Sequence, residues 1–275
     1  TIYKVDTLDI SNNTYLSDNR YSNTLEYKEN INALYTQFGT KFNKLSVLLG
    51  LRYEDTKVNI NQITTSDFNT KRYKDFFPSA FLTYELSEKS NVSLSYSRRV
   101  SRPRGRLINP FSNYSSNINL FKGNPDLNAS YTDAIDIGYL KRWEKLTFNT
   151  SLYVNKTDES VQFIRTESGD FVSTDSEGSG ILTPVIITTP INLATSLRYG
   201  FEFSLNYTPY KWWRINSNFN LYGNDTRGDY TYTDFNGETV TQNFDNDAIS
   251  WFARLSSKVT LPYKIDWQTN LNYYG

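Results

Sequence analysis

Residues 76–99 read FFPSAFLTYELSEKSNVSLSYSRR. Ala80, Leu82, Tyr84 and Leu86 share one parity, while Ser79, Thr83 and Glu85 take the other. After Ser87-Glu88-Lys89-Ser90, Val92, Leu94 and Tyr96 oppose Ser93, Ser95 and Ser97. A period of two gives each arm one apolar and one polar face, so the stretch predicts two strands joined by a tight polar turn.

The same unit recurs outward in both directions. Towards the N-terminus, Leu45, Val47, Leu49, Leu51 and Tyr53 alternate with Ser46, Gly50, Arg52 and Glu54 after a turn at Asn43-Lys44. Residues 31–42 predict the partner strand, with two facings open: Ile31, Ala33 and Tyr35, or Leu34, Phe38 and Phe42. A slip of one residue reverses such a strand. Residues 1–8 suit the tail of an earlier strand, followed by polar loop to Asn30, and 56–72 predict another loop.

Towards the C-terminus a long loop, about 100–130, is interrupted by Pro103, Gly105, Pro110, Gly123 and Pro125. Ile135, Ile137 and Tyr139 then pair with Leu146, Phe148, Leu152 and Val154 across Trp143-Glu144-Lys145. Residues 156–195 form a long segment with an acidic tip and an apolar piece, suited to extending the strands beyond a membrane. A fourth hairpin sets Tyr199, Phe201, Phe203, Leu205 and Tyr207 against Trp213, Ile215, Phe219 and Leu221. After a loop at 223–247, a fifth joins Trp251 to Leu261 with Ile265 to Tyr273. Five hairpins make about ten strands.

Hydrophobic residues are 38% of the 275, yet aromatics reach 16%, with 22 Tyr and 17 Phe. A packed soluble core needs more Leu, Val and Ala, whereas a barrel with a wet interior needs apolar residues on only one face of each strand. Lys plus Arg equals Asp plus Glu at 29 each, which gives no basis for a nucleic-acid partner. No run of 18 apolar residues predicts a membrane helix.

Charge placement is the sharper test. With registers set by apolar residues alone, Arg52, Glu54, Asp136, Glu202, Arg254, Lys258 and Asp266 all fall on the opposite face. Lys or Arg facing lipid at mid-depth costs about 2–4 kcal/mol, so the apolar face suits lipid and the charged one a lumen. Short turns at one end, long loops at the other, and Trp143, Tyr210, Trp212, Trp213 and Tyr263 beside the turns match outer-membrane barrels. A soluble β-sandwich also has period two, but seldom keeps its long loops at one end. The expected fold is all-β: a transmembrane antiparallel β-barrel with about ten strands in this chain, which form a small barrel or a section of a larger one.

Tyr96-Ser97-Arg98-Arg99, Arg102-Pro103, Asn109-Pro110-Phe111 and Gly123-Asn124-Pro125-Asp126-Leu127 before Tyr131-Thr132-Asp133 resemble the barrel of TonB-dependent outer-membrane receptors, within the outer-membrane β-barrel protein family. Residues 196–207 with Lys211-Trp212-Trp213 extend the resemblance, so that it covers most of the chain. One departure is Asn128-Ala129-Ser130, where the family's motif continues with Pro-Glu. The resemblance implies a 22-stranded barrel in a Gram-negative outer membrane, filled by an N-terminal plug and energised by a periplasmic coupling protein. Residues 1–275 are then barrel only, cut from a longer polypeptide, with plug and signal peptide outside them. It implies import of a nutrient such as a metal chelate, oligosaccharide or peptide, with outer-membrane lipid, lipopolysaccharide and a surface lipoprotein as further partners. The alternative is a self-contained barrel acting as a passive pore or adhesin.

With no His and no Cys, the chain offers no His-based triad, thiolate or usual zinc ligands, so neither an enzyme, a cofactor nor a metal is expected. The acidic loops at Glu167, Asp170, Asp175, Glu177 and at Asp225, Asp229, Asp234, Glu238 lack EF-hand spacing and suit solvated charge. Arg98, Arg99, Arg102, Arg104 and Arg106 are candidates to hold an anionic substrate or a lipopolysaccharide phosphate, against ordinary rim charge. Arg99, Arg102, Arg104 and Arg106, with Tyr114, are the candidate substrate-binding residues.

Overall fold

A computed structural model describes the chain except residues 1, 4–5, 10, 18–21, 65, 112–115, 117 and 174–181. The main sheet is built from β1 (Ile2–Tyr3), β4 (Asn23–Phe42), β5 (Leu45–Gln62), β6 (Asp67–Ser87), β7 (Ser90–Ser101), β8 (Asn119–Phe121), β9 (Ser130–Arg142), β10 (Leu146–Ser173), β11 (Leu182–Tyr210), β12 (Trp213–Arg227), β15 (Asn246–Leu261) and β16 (Ile265–Tyr274). Two small hairpins stand apart: β2 (Asp6–Asp9) with β3 (Thr14–Ser17), and β13 (Asp229–Thr233) with β14 (Thr239–Asn243).

The long strands run β4-β5-β6-β7-β9-β10-β11-β12-β15-β16, each antiparallel to the next, as the five hairpins predict. Short β1 pairs with the start of β4, and β8 pairs parallel with β11. Among the described residues β4 and β16 are not joined to each other.

Register settles the facing of β4. Leu34 lies opposite Tyr53, Phe38 opposite Leu49 and Phe42 opposite Leu45, which puts all of them on the apolar face. That face runs through Leu45–Tyr53, Phe76–Tyr84, Val92–Tyr96, Ile135–Tyr139, Leu146–Val154, Tyr199–Tyr207, Trp213–Gly223, Ile249–Leu261 and Ile265–Tyr273. Within those limits no Asp, Glu, Lys or Arg points to it. Most of these segments hold nine residues, the number a tilted strand needs to cross the hydrocarbon. Near one border, Tyr210 stacks on Trp212 at 5.1 Å and 2°, and Trp212 on Trp213 at 6.1 Å. Tyr53 and Phe76 meet at 5.0 Å at the other border.

Strands continue where loops are expected. Residues 23–30, 56–62 and 67–72 are strand, so the expected loop at 56–72 shrinks to a turn. Above the membrane the outer face of these strands meets water, so no lipid imposes an apolar pattern on it while the hydrogen-bond ladder continues. The segment at 156–195 does extend the wall: β10 and β11 have 28 and 29 residues. The expected loop at 223–247 contains the β13–β14 hairpin, whose Phe235 packs over Gly169.

β7 and β9 are shorter at this end, and their connection arches across the lumen face. Ile108 joins Leu25, Val58 and Ile60 in a buried cluster, with Tyr27 and Tyr73 packed against it. At its far side β8 pairs with Ile186–Thr188, on the edge that β12 leaves free above Thr195. The arch thus binds β4–β6 to β11.

Candidate functional site: the lumen wall and its arch

Gly123-Asn124-Pro125-Asp126-Leu127 anchors the arch. A Cβ on Gly123 would lie 2.4–2.6 Å from backbone atoms of Asn109 and Arg106, so only glycine fits there. The Gly123 amide donates to Asn109 O at 2.8 Å and the Asn124 amide to Leu107 O at 2.7 Å. Asn124 Nδ2 reaches Pro190 O on β11 at 3.2 Å, while its Oδ1 accepts from the Asp126 amide at 2.9 Å. Leu127 is buried, and its carbonyl accepts from Lys71 Nζ at 2.6 Å. Desolvation there lowers the Lys71 pKa.

The motif's departure, Asn128-Ala129-Ser130, has its own partners. Asn192 Oδ1 accepts from the Asn128 amide at 2.7 Å, Ala129 is buried, and Ser130 Oγ donates to Glu159 O at 2.6 Å. Strand β9 begins at Ser130.

The five arginines have different surroundings. Arg98 lies on the outer side and pairs with Asp133 at 3.1 Å, its guanidinium 5.4 Å from the Tyr131 ring. Arg102 is 7% exposed and donates to Glu54, itself 9% exposed, at 2.8 Å. Arg52 reaches the other oxygen of Glu54 at 2.7 Å. Arg104 pairs with Glu29, and Arg106 stacks 3.9 Å from the Phe121 ring. Arg99 faces the lumen and donates to Ser97 Oγ at 3.3 Å. Tyr114 lies outside the described residues. Nearby, Tyr131 donates to Asp75 at 2.9 Å, and burial with that bond pushes its pKa up to about 12.

Below the arch, Arg99 lines a recess of about 340 Å³ with Ser95, Asp136, Tyr153, Arg198 and Glu202. Tyr153 donates to Asn220 Oδ1 at 3.1 Å, and Ser151 to Glu202 Oε1 at 3.2 Å. Arg198 lies 4.1 Å from the Tyr222 ring, a cation–π contact that leaves guanidinium edges facing the lumen. Tyr153 also covers Gly200, where a Cβ would come 2.6 Å from the hydroxyl. This wall offers donors, acceptors and aromatic faces to a polar solute, an arrangement for binding by hydrogen bonds. Glu202 and Asp136 are legible as lumen residues from parity. The Arg198–Tyr222 and Tyr153–Asn220 pairs are not, because register between non-adjacent positions decides them.

The chain matches the outer membrane protein beta-barrel family over residues 1–275. No curated protein is significantly similar to it. Among solved structures it resembles the copper transporter OprC, with TM-score 0.56 and 11% identity over 98% of this chain and 42% of that one. It also matches the siderophore receptor PirA from Pseudomonas aeruginosa (TM-score 0.47, 12% identity, 90% of this chain, 57% of that one). The ferric enterobactin receptor PfeA from the same organism gives TM-score 0.47 and 13% identity, covering 96% of this chain and 50% of that one. The chain therefore spans about half, or less, of the length of these structures, and the likeness to OprC is one of fold. With its uncharged apolar band, polar lumen face and family match, the chain belongs to the outer membrane protein beta-barrel family and resides in a Gram-negative outer membrane.

Proposed function

We propose that the chain forms one section of the wall of a TonB-dependent-type receptor that imports a scarce nutrient such as a metal chelate, oligosaccharide or peptide. The observation that carries this is the lumen wall of Arg99, Asp136, Tyr153, Arg198 and Glu202 lying below an arch fixed by Gly123–Leu127. Such a wall suits a solute held by several weak polar contacts, without covalent chemistry.

Strand β16, and β4 beyond its two-residue pairing with β1, each leave a ladder edge unpaired among the described residues. In hydrocarbon an unsatisfied backbone group costs several kcal/mol, which supports closure through further strands. Twenty-two strands, a plug and a periplasmic coupling partner follow from the resemblance. A surface lipoprotein would cap the extracellular loops.

The test is the intact mass of the native protein extracted from outer membranes, together with uptake in a deletion strain. The chain alone is 31.9 kDa; a barrel scaled to twenty-two strands is about 70 kDa before a plug. The expected result is the larger mass, with loss of uptake of one nutrient and dependence on the inner-membrane proton gradient. A mass near that of the chain with steady single-channel conductance would overturn import in favour of a passive pore.

A further inference from the structure

Opposite charges share the lumen recess below the arch without pairing. Arg99 on β7 and Arg198 on β11 line it together with Asp136 on β9 and Glu202 on β11. Arg99 donates through Nε and Nη2 to Ser97 Oγ, both at 3.3 Å, and Arg198 rests on the Tyr222 ring. Glu202 accepts from Ser151 at 3.2 Å and from Asn220 at 3.4 Å. Among the described residues Asp136 has no side-chain partner, and none of the four forms an ion pair. Elsewhere on the lumen face opposite charges do pair: Arg52 with Glu54 at 2.7 Å, Lys41 with Glu85 at 2.6 Å and Lys258 with Asp266 at 2.8 Å. Of the other arginines weighed as anion ligands, Arg102 and Arg104 are spent on Glu54 and Glu29.

Register orders these charges along the strands. Arg198 stands in the row of Asn155, Ala134 and Ser97, and Arg99 one lumen position nearer the arch, in the row of Thr132 and Thr157. Asp136 occupies the next row away from the arch with Ser95 and Tyr153, and Glu202 the row after that with Ser151. Successive lumen positions on a strand are about 7 Å apart. The cations therefore lie at the arch end of the recess and the carboxylates at the other. A neutral sugar leaves all four charges without a counter-charge. A uniformly anionic chelate meets Asp136 and Glu202, and a cationic one meets Arg99 and Arg198. The arrangement fits a solute that carries both signs, held apart.

We propose that this recess binds short peptides by their two ends, the terminal carboxylate at Arg198 and Arg99 and the terminal ammonium at Asp136 and Glu202. The inference rests on the import reading above and narrows its solute to one class. A guanidinium fork matches a carboxylate, and both ends are held by charge-assisted hydrogen bonds. An extended peptide advances about 3.4 Å per residue, so two to four residues cover the roughly 7–14 Å between the cationic and acidic rows. Tyr153 lies between the two ends, with hydroxyl lone pairs free to accept from a peptide N–H once its proton is given to Asn220. A volume of about 340 Å³ is at the small end for a ligand site, which also limits the peptide to a few residues.

The experiment is calorimetric titration of the native detergent-solubilised protein with trialanine, N-acetyl-trialanine, trialanine amide and maltotriose. Trialanine is expected to bind, and each capped form to bind at least about ten times more weakly, the loss of one charge-assisted contact. Maltotriose should not bind over the same range. R198Q should weaken trialanine about tenfold and narrow the difference between acid and amide, while D136N narrows that between free and acetylated amine. K156Q, on the outer face, should match the wild type. If R198Q fails to assemble, R99Q carries the same comparison. Equal binding of free and capped peptides, or trialanine binding no better than maltotriose, would overturn the proposal. Uptake in the deletion strain separates it from the import reading. Loss of uptake of another nutrient, with no peptide binding, defeats the peptide site alone; end-specific peptide binding with every uptake unchanged defeats import and leaves the site standing.

Discussion

Gly123 shows how much a single residue can specify. Its missing Cβ lets two turns of the arch meet backbone to backbone, with Asn109 and Arg106 within 2.6 Å of where a methyl would sit. Since backbone cannot step aside as a side chain can, Gly123→Ala is expected to cost about 1–3 kcal/mol. This should appear as a lower unfolding midpoint and faster proteolysis within 100–130; an unchanged cleavage rate would argue against it. Arg102 makes a different demand. Removing it as Arg102→Met leaves the buried Glu54 carboxylate with Arg52 alone, and about 3 kcal/mol of destabilisation is expected. R102M/E54L should recover most of that loss, because a well-packed apolar pair removes the uncompensated charge; no recovery would mean that packing rather than charge dominates. Arg102 reads in sequence as one more basic loop residue. Its acid lies 48 positions away on β5, and only the folded arch shows that its charge is used internally.

At the scale of the strand, the apolar band is the feature sequence specifies best. Each segment from Leu45–Tyr53 to Ile265–Tyr273 keeps charge off its outer face and sets most of its aliphatic residues there, because lipid on one face and water on the other select opposite residues at successive positions; Leu48, Phe77, Phe81 and Phe252 on the lumen face are exceptions. Leu49→Lys at mid-band is expected to cost about 2–4 kcal/mol, whereas Ser95→Lys on the lumen face should be tolerated. The folded fraction, read from heat-modifiable gel mobility of outer-membrane extracts, checks this, and equal losses would contradict the assigned facing. Beyond the band the rule lapses. Val58 and Ile60 keep period two yet read as loop, since their apolar partners Leu25 and Ile108 come from other elements and no lipid imposes a pattern on the outer side. For β4, both facings look equally apolar in sequence. Pairing with β5 decides between them, because Leu34, Phe38 and Phe42 fall opposite outward residues.

At the scale of the whole molecule, the arch is a brace between regions distant in the sheet. Asn192 on β11 accepts from the Asn128 amide and donates to the carbonyls of Asn128 and Glu159, at 3.3 and 2.8 Å. Asn192→Ala should therefore speed hydrogen exchange both in 106–129 and in the β8-paired segment 186–188, while leaving the membrane band protected. Faster exchange confined to the neighbours of residue 192 would show that the arch does not couple the two walls. Local alternation, turn chemistry and charge parity are properties of neighbouring residues, so the sequence alone determines ten antiparallel strands and, for all of them but β4, the lipid face and the lumen face. Which acid pairs with which arginine and where the arch lands depend on residues brought together from separate hairpins. Only the tertiary structure decides these, because a period-two pattern, where it is unambiguous, fixes the face of a strand but carries no information about contacts between distant strands.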